Sequence, residues 1–224
     1  KNSIYVQLSR GKNESNILSS LMNIMLDINK IATDLCLFTM SEFSYFKLPI
    51  EFTTGSSMMP QKKNPDVLEL IRAKSKVVES LLFQVTGIYQ NLMSGYNRDM
   101  QLTKKPLMDG IEITKTTLNI MTEIFKNLEV NEEALLNGFS KEIFATDYAN
   151  ELVKKGVPFR EAYKKTAKEI QNIDVKGIYE YIENKTPIGA PGNIGFDEYL
   201  NDLKKLDNNK KEEFENCIKN LIEI

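Results

Sequence analysis

The chain has 224 residues, 42% of them hydrophobic and 27% charged, which is the balance of an ordinary globular protein of one large domain or one and a half. A formal net charge of −2 argues against nucleic acid or an anionic membrane surface as partner. No apolar run is long enough to span a bilayer.

The chain opens at Lys1, within "KNSIYVQLSRGKNES", with no signal peptide, and contains no histidine; the expectation is a part of a longer protein. Ile17, Leu21, Ile24, Ile28, Ile31, Leu35 and Phe38 then recur at alternating steps of four and three, an a/d seam. Val67, Ile71, Lys74, Val78, Leu81, Val85 and Ile88 repeat the pattern, and so do Leu107, Ile111, Thr114, Leu118, Met121, Phe125 and Leu128. Three helices of roughly 25 to 35 residues follow, each about 40 to 50 Å long. Seams of that length need long partners, so an all-α extended bundle is expected. Apolar residues beside the seams (Met22, Met25, Leu26, Leu70, Val77, Leu82) call for burial on more than one face, which three helices cannot supply themselves.

After Leu128 the elements shorten. Asn131 can cap a helix over 132–137, and "ATDYANELVKKG" ends on Gly156, a good helix stop. "VPFREAYKKTAKEIQ" starts a helix near Pro158, "NKTPIGAPGNIG" is a Pro/Gly loop, and "NNKKEEFENCIKNLIEI" closes the chain with an amphipathic helix. No strand alternation is evident. The expected organisation is a bundle domain over 1–128 and a small helical domain over 129–224. Cys36 and Cys217 lie far apart in apolar, helical contexts and read as buried free thiols of a reducing cytoplasm.

Between the first two long helices lies "TTGSSMMPQKKNP", residues 53–65. Its second half reads as a helix start, with Asn64 as N-cap, Pro65 at the first position and Asp66 in the first turn. Free N–H groups and the positive helix end would then lie beside Lys62 and Lys63, an anion site by construction. Gly55 allows close approach of a ligand and movement of the loop, and Ser56 and Ser57 add hydroxyls and N–H donors. A flexible connection with a good cap would look similar.

The string itself favours the site over the plain connection. "GSSMMPQKKNP" resembles the GSSxMPxKxNP signature of the fumarase/aspartase superfamily. "GYNRDMQLTK", residues 95–104, resembles the YNxDxQxxK segment of argininosuccinate lyases, and "ATDYANELVKKGVPFREAY" resembles their C-terminal domain. "NSIYVQLSRG" is weakly similar to their NS…SxRD segment, with Gly11 where an aspartate is usual. The resemblance fades after about residue 175. It implies the C-terminal half of an argininosuccinate lyase, with the end of a central helical bundle and a last small domain.

That resemblance implies cleavage of argininosuccinate to arginine and fumarate, with no metal and no cofactor, in a cytoplasmic homotetramer whose active sites combine segments of three subunits. It makes Ser56 the base that takes a proton from the carbon beside a carboxylate. The resulting aci-carboxylate carries two negative charges and forms only among waiting donors and cations, a task that suits Lys62, Asn64 and the loop N–H groups. Thr54 and Ser57 would help hold substrate. Glu69 reads alone as a solvated surface glutamate; in the family the matching residue orients a histidine from another segment. Tyr96, Gln101 and Lys104 match residues that hold the amino-acid end. "QLTKKP" departs from the family pattern, so either a helix begins anew at Pro106 or Lys104 is held differently. Lys63 and Arg98 are either substrate contacts or solvated charges. The rival readings are another fumarate-releasing lyase, acting on adenylosuccinate, malate or aspartate, and an inactive structural relative. The histidines and the serine, arginine and asparagine segment that the family adds would come from the N-terminal half of the same protein.

Overall fold

The computed structural model describes residues 2–172 and 177–222; within that span the side chains of residues 172, 206–211, 214, 217, 218 and 220–222 fall outside the description. The reading of Cys217 as a buried thiol therefore lies outside the described residues. Two compact units meet in sequence between Gly138 and Phe139.

The first unit is built on the expected long helices. A short α1 (Ser3–Leu8) leads into α2 (Lys12–Phe38), then come α3 (Asp66–Tyr89) and α4 (Lys104–Asn127), and α5 (Glu132–Asn137) follows. α2 and α3 run antiparallel: Ser15 near the start of α2 meets Tyr89 at the end of α3, 3.4 Å between hydroxyls, while Cys36 near the end of α2 feels Arg72 and Glu69 near the start of α3. α4 lies against both, so closely that a Cβ on Gly110 would fall 2.5 Å from Leu18 Cδ2. Met25, Ile28, Ala32, Leu35, Leu68, Ile71, Val78, Met121 and Ile124 form the core they share.

Only part of each expected seam is buried: Ile28 and Leu35 on α2, Ile71, Val78 and Val85 on α3, Thr114 and Met121 on α4. Ile28 and Leu35 of α2 are buried, but their companions are Leu18, Met25 and Ala32, whereas Ile17, Ile24 and Ile31 are exposed. On α3 the buried line runs through Leu68, Ile71, Ser75, Val78 and Val85, and on α4 through Pro106, Gly110, Thr114, Thr117, Met121 and Ile124. Ile111, Leu118 and Phe125 of α4 are exposed, again seven apart. The physical reason is that each helix carries apolar residues on two adjoining faces. Among the described residues only one of the two faces is buried.

Two more departures concern the connections. β1 (Phe46–Lys47) pairs antiparallel with β2 (Glu129–Val130), with Phe46 opposite Val130; strands of two residues are too short to show alternation. This pairing, the Asn131 N–H donated to Tyr45 O at 2.9 Å and the packing of Gly138 against the Tyr45 ring tie residues 129–138 to the bundle. Compactness therefore divides the chain ten residues beyond the expected 128/129 boundary. Asn131 caps α5 as expected, its side chain accepting from Ala134 N.

The second unit contains α6 (Ala145–Lys154), α7 (Phe159–Glu169), α8 (Ile178–Glu183) and α9 (Phe196–Ile222). α6 stops at Gly156, whose φ of +92° needs glycine, and α7 starts directly after Pro158. α6 packs on α7, burying Ala149, Leu152, Ala162 and Thr166. Lys185 Nζ reaches both carboxylate oxygens of Asp147 at 2.9 Å. α9 begins at Phe196, well ahead of the expected closing helix, because "FDEYL" opens it with two carboxylates in the first turn. Among the described residues no helix is long and apolar enough to cross a membrane.

Candidate active site

The signature loop is pinned at its neck. Thr54 N donates to Asn64 O at 3.0 Å and Asn64 N to Thr54 O at 2.8 Å. The Thr54 hydroxyl donates to the Asp66 carboxylate, tying the neck to the first residue of α3. Asn64 is therefore not the helix cap expected of it. Its backbone is held in the bridge, α3 starts at Asp66, and Pro65 takes the cap position without a side-chain bond. The Pro65 carbonyl accepts from Leu68 N at 2.9 Å and Glu69 N at 3.3 Å.

Inside the loop the two serines differ. The Ser56 hydroxyl oxygen is half-buried and accepts from Met58 N and Met59 N, both at 3.2 Å. Two backbone donors on one oxygen favour negative charge there. Ser57 is exposed, and so are Met58 and Met59. Lys62 N closes a turn on Met59 O at 3.0 Å. A Cβ at Gly55 would meet nothing within 4 Å, so the loop is open on that side.

Beside the loop lies a cleft of about 590 Å³, lined by Cys36, Thr39 and Glu42 from the end of α2 and its extension and by Lys62, Lys63 and Asn64. Burial pushes the Cys36 thiol above its ordinary range, Arg72 pulls it back and Glu69 adds to the rise. Glu69 therefore stands in the first turn of α3, close to this end of α2 and exposed to solvent. Among the described residues no three of His, Cys, Asp and Glu gather as a metal cluster.

Tyr96, Gln101 and Lys104 form a second group. Gly95 turns the chain with φ +111°, and the Asn97 side-chain amide holds the turn by donating to Met93 O at 2.7 Å. A 3₁₀ turn over Arg98–Thr103 then runs into α4 at Lys104. Gln101 and Lys104, three apart across such a turn, share one side of it, and both are exposed, as is Tyr96. Pro106 does not begin the helix: it is the third residue of α4, where a missing N–H costs little. Asn97 thus carries a structural task that its place in the matched string does not reveal. Nor does the string reveal Arg10, whose guanidinium carbon lies 5.1 Å from the centre of the Tyr96 ring.

The two groups stand at opposite ends of α3. Its 24 residues span about 36 Å at 1.5 Å each. Ser56, Lys62 and Asn64 precede it, and Tyr96, Gln101 and Lys104 follow it. Within one chain the two groups are therefore held about one α3 length apart.

Residues 7–79 match the family model described as Lyase, and residues 142–182 match the one described as Argininosuccinate lyase C-terminal. An argininosuccinate lyase of Sorangium cellulosum is 42% identical over 204 residues, 91% of this chain and 47% of that protein. One of Thermotoga neapolitana is 45% identical over 168 residues, 75% of this chain and 42% of that protein. The chain thus spans somewhat under half the length of these curated relatives. Among solved structures, an EDDS lyase in complex with formate superposes with a TM-score of 0.69 at 18% identity, over 87% of this chain and 46% of that one. A class II fumarase from Schistosoma mansoni gives 0.65 at 18% identity, over 76% and 34%. At that identity these two speak for the fold alone, the long-helix bundle; the family models and the relatives in sequence show that the chain belongs to the argininosuccinate lyase family.

Proposed function

We propose that the whole protein cleaves argininosuccinate to arginine and fumarate, and that these 224 residues supply its base and its amino-acid-end contacts. The observation that carries the reading is Ser56, whose oxygen takes two backbone N–H bonds inside the GSSMMPQKKNP loop. Those donors lower the cost of a serine alkoxide, which then removes the proton beside the substrate carboxylate. Lys62 and Asn64 stabilise the charge that develops on that carboxylate, with Thr54 and Ser57 holding the substrate. Tyr96, Gln101 and Lys104 hold the amino-acid end. Glu69 orients a histidine that comes from outside residues 1–224, since these contain none; the acid that protonates the departing nitrogen is supplied from there too.

Two features support a shared assembly. The base and the amino-acid contacts lie about one α3 length apart, and Ile17, Ile24, Ile31, Ile111, Leu118 and Phe125 form exposed apolar stripes. A homotetramer of the kind the family resemblance implies would cover the stripes and bring the ends of different copies together.

In the full-length protein, Ser56→Ala should lower kcat about 10³-fold with KM changed by less than about threefold, followed by fumarate absorbance. Residues 1–224 alone should release no fumarate from argininosuccinate. A near-normal Ser56→Ala with a crippled Ser57→Ala would assign the base to the other serine. Fumarate release by residues 1–224 alone would refute the division of labour. A panel with adenylosuccinate, malate and aspartate fixes the substrate.

A further inference from the structure

The elbow between α1 and α2 bears on the Tyr96–Lys104 segment through two charged side chains that the proposed chemistry does not use. Arg10 places its guanidinium 5.1 Å from the centre of the exposed Tyr96 ring. Glu14 extends one carboxylate oxygen to Gly11 N at 2.9 Å and the other to the Thr103 hydroxyl at 3.4 Å. Thr103 is fully buried, its hydroxyl also donates to Met100 O at 2.9 Å, and its next neighbour is Lys104. The elbow is firmly based: Gly11 is buried, holds φ +80° and lies against the Tyr89 ring. A cavity of about 300 Å³, lined by Arg10, Tyr89, Ser94, Asn97 and Met100 among others, opens between elbow and segment.

We propose that Arg10 and Glu14 are positioning residues that set the substrate's amino-acid end by clamping the segment that holds it. This rests on the reading that Tyr96, Gln101 and Lys104 make those contacts. A tyrosine exposed at a loop tip has a free choice of rotamer; a guanidinium over one ring face removes part of that freedom. Glu14 acts at the other end. Its carboxylate joins the elbow backbone to the end of the 3₁₀ turn, which carries Gln101 and leads directly into Lys104 at the start of α4. Neither side chain touches the reacting atoms, and the signature loop lies at the far end of α3. The clamp should therefore tune affinity at one end of the substrate and leave the other alone.

Product inhibition of the full-length protein separates the two ends. Arginine carries the amino-acid end and fumarate does not. Arg10→Leu should raise KM for argininosuccinate and the inhibition constant for arginine about fivefold, the scale of a cation–π contact. The constant for fumarate and the melting temperature should stay as they were. Arg10→Lys should recover part of the loss, and Glu14→Gln should shift arginine in the same direction. Tyr96→Phe and Gln101→Ala serve as references. If both references leave arginine inhibition unchanged, the amino-acid-end reading falls and the clamp with it. If they weaken it while Arg10→Leu and Glu14→Gln do not, the clamp alone is overturned. Equal weakening of arginine and fumarate, or a lowered melting temperature with unchanged arginine inhibition, would reduce both residues to general structural supports.

Discussion

Gly11 shows how a single position can be closed to side chains. Its φ of +80° is unfavourable for other residues, and a Cβ there would lie 2.7 to 2.9 Å from three atoms of Tyr89. Gly11→Ala should therefore destabilise the bundle by about 2 kcal/mol or more, measured by denaturant unfolding of the full-length protein; an unchanged midpoint would mean that Tyr89 moves aside freely. The family segment that "SRG" resembles usually carries aspartate where this chain has Gly11. Nothing in the sequence announces the contact with Tyr89, because the two residues are joined only by the antiparallel course of α2 and α3. Ser56 was legible differently. The order of GSSMMPQKKNP points to the chemistry proposed for it, but the two N–H groups on the Ser56 oxygen come from the backbone of Met58 and Met59, which residue types do not encode.

At the scale of elements, the long helices were readable because apolar periodicity reports burial directly. Which face is buried where was not. Ile24 and Met25 are neighbours on α2, yet Met25 enters the core and Ile24 stays outside it; both are apolar, and only the position of α3 and α4 tells them apart. The cap of α5 was readable because Asn131 acts within its own turn. The start of α3 shifted because a contact across the loop neck claimed Asn64. That neck also defines what can move. The ends of the loop are fixed by the Thr54–Asn64 bridge, while Gly55, Ser57 and Met58 have little around them. Argininosuccinate should slow amide hydrogen exchange over residues 55–62 of the full-length protein severalfold and leave α3 unchanged. Equal protection with and without substrate would deny the loop a gating role.

For the whole molecule, the exposed stripes matter most. Ile17, Ile24 and Ile31 on α2 and Ile111, Leu118 and Phe125 on α4 keep a seven-residue spacing, the signature of helices that pack along their length. Placing a charge in each stripe, as in Ile24→Lys with Leu118→Glu, should dissociate the assembly proposed for the full-length protein and abolish its proposed lyase activity. Sedimentation checks the first and fumarate release the second. An intact, active assembly in the double variant would place the contacts elsewhere. Compactness and partner faces are properties of the folded chain, so the sequence could show that more burial was needed without showing where.

The opposite placement of the two residue groups on α3 has a mechanical side. If the loop of one copy works with the Tyr96 segment of another, α3 is a shaft whose two ends serve two different reaction centres. A ligand that tightens the loop at one end pulls on a helix anchored at the next centre. Neighbouring centres are then coupled through a rigid element, and occupancy of one biases the affinity of the other by the same factor in both directions. Initial rates against argininosuccinate would bend away from a simple hyperbola, and variants that loosen the bundle core beneath α3 would straighten the curve.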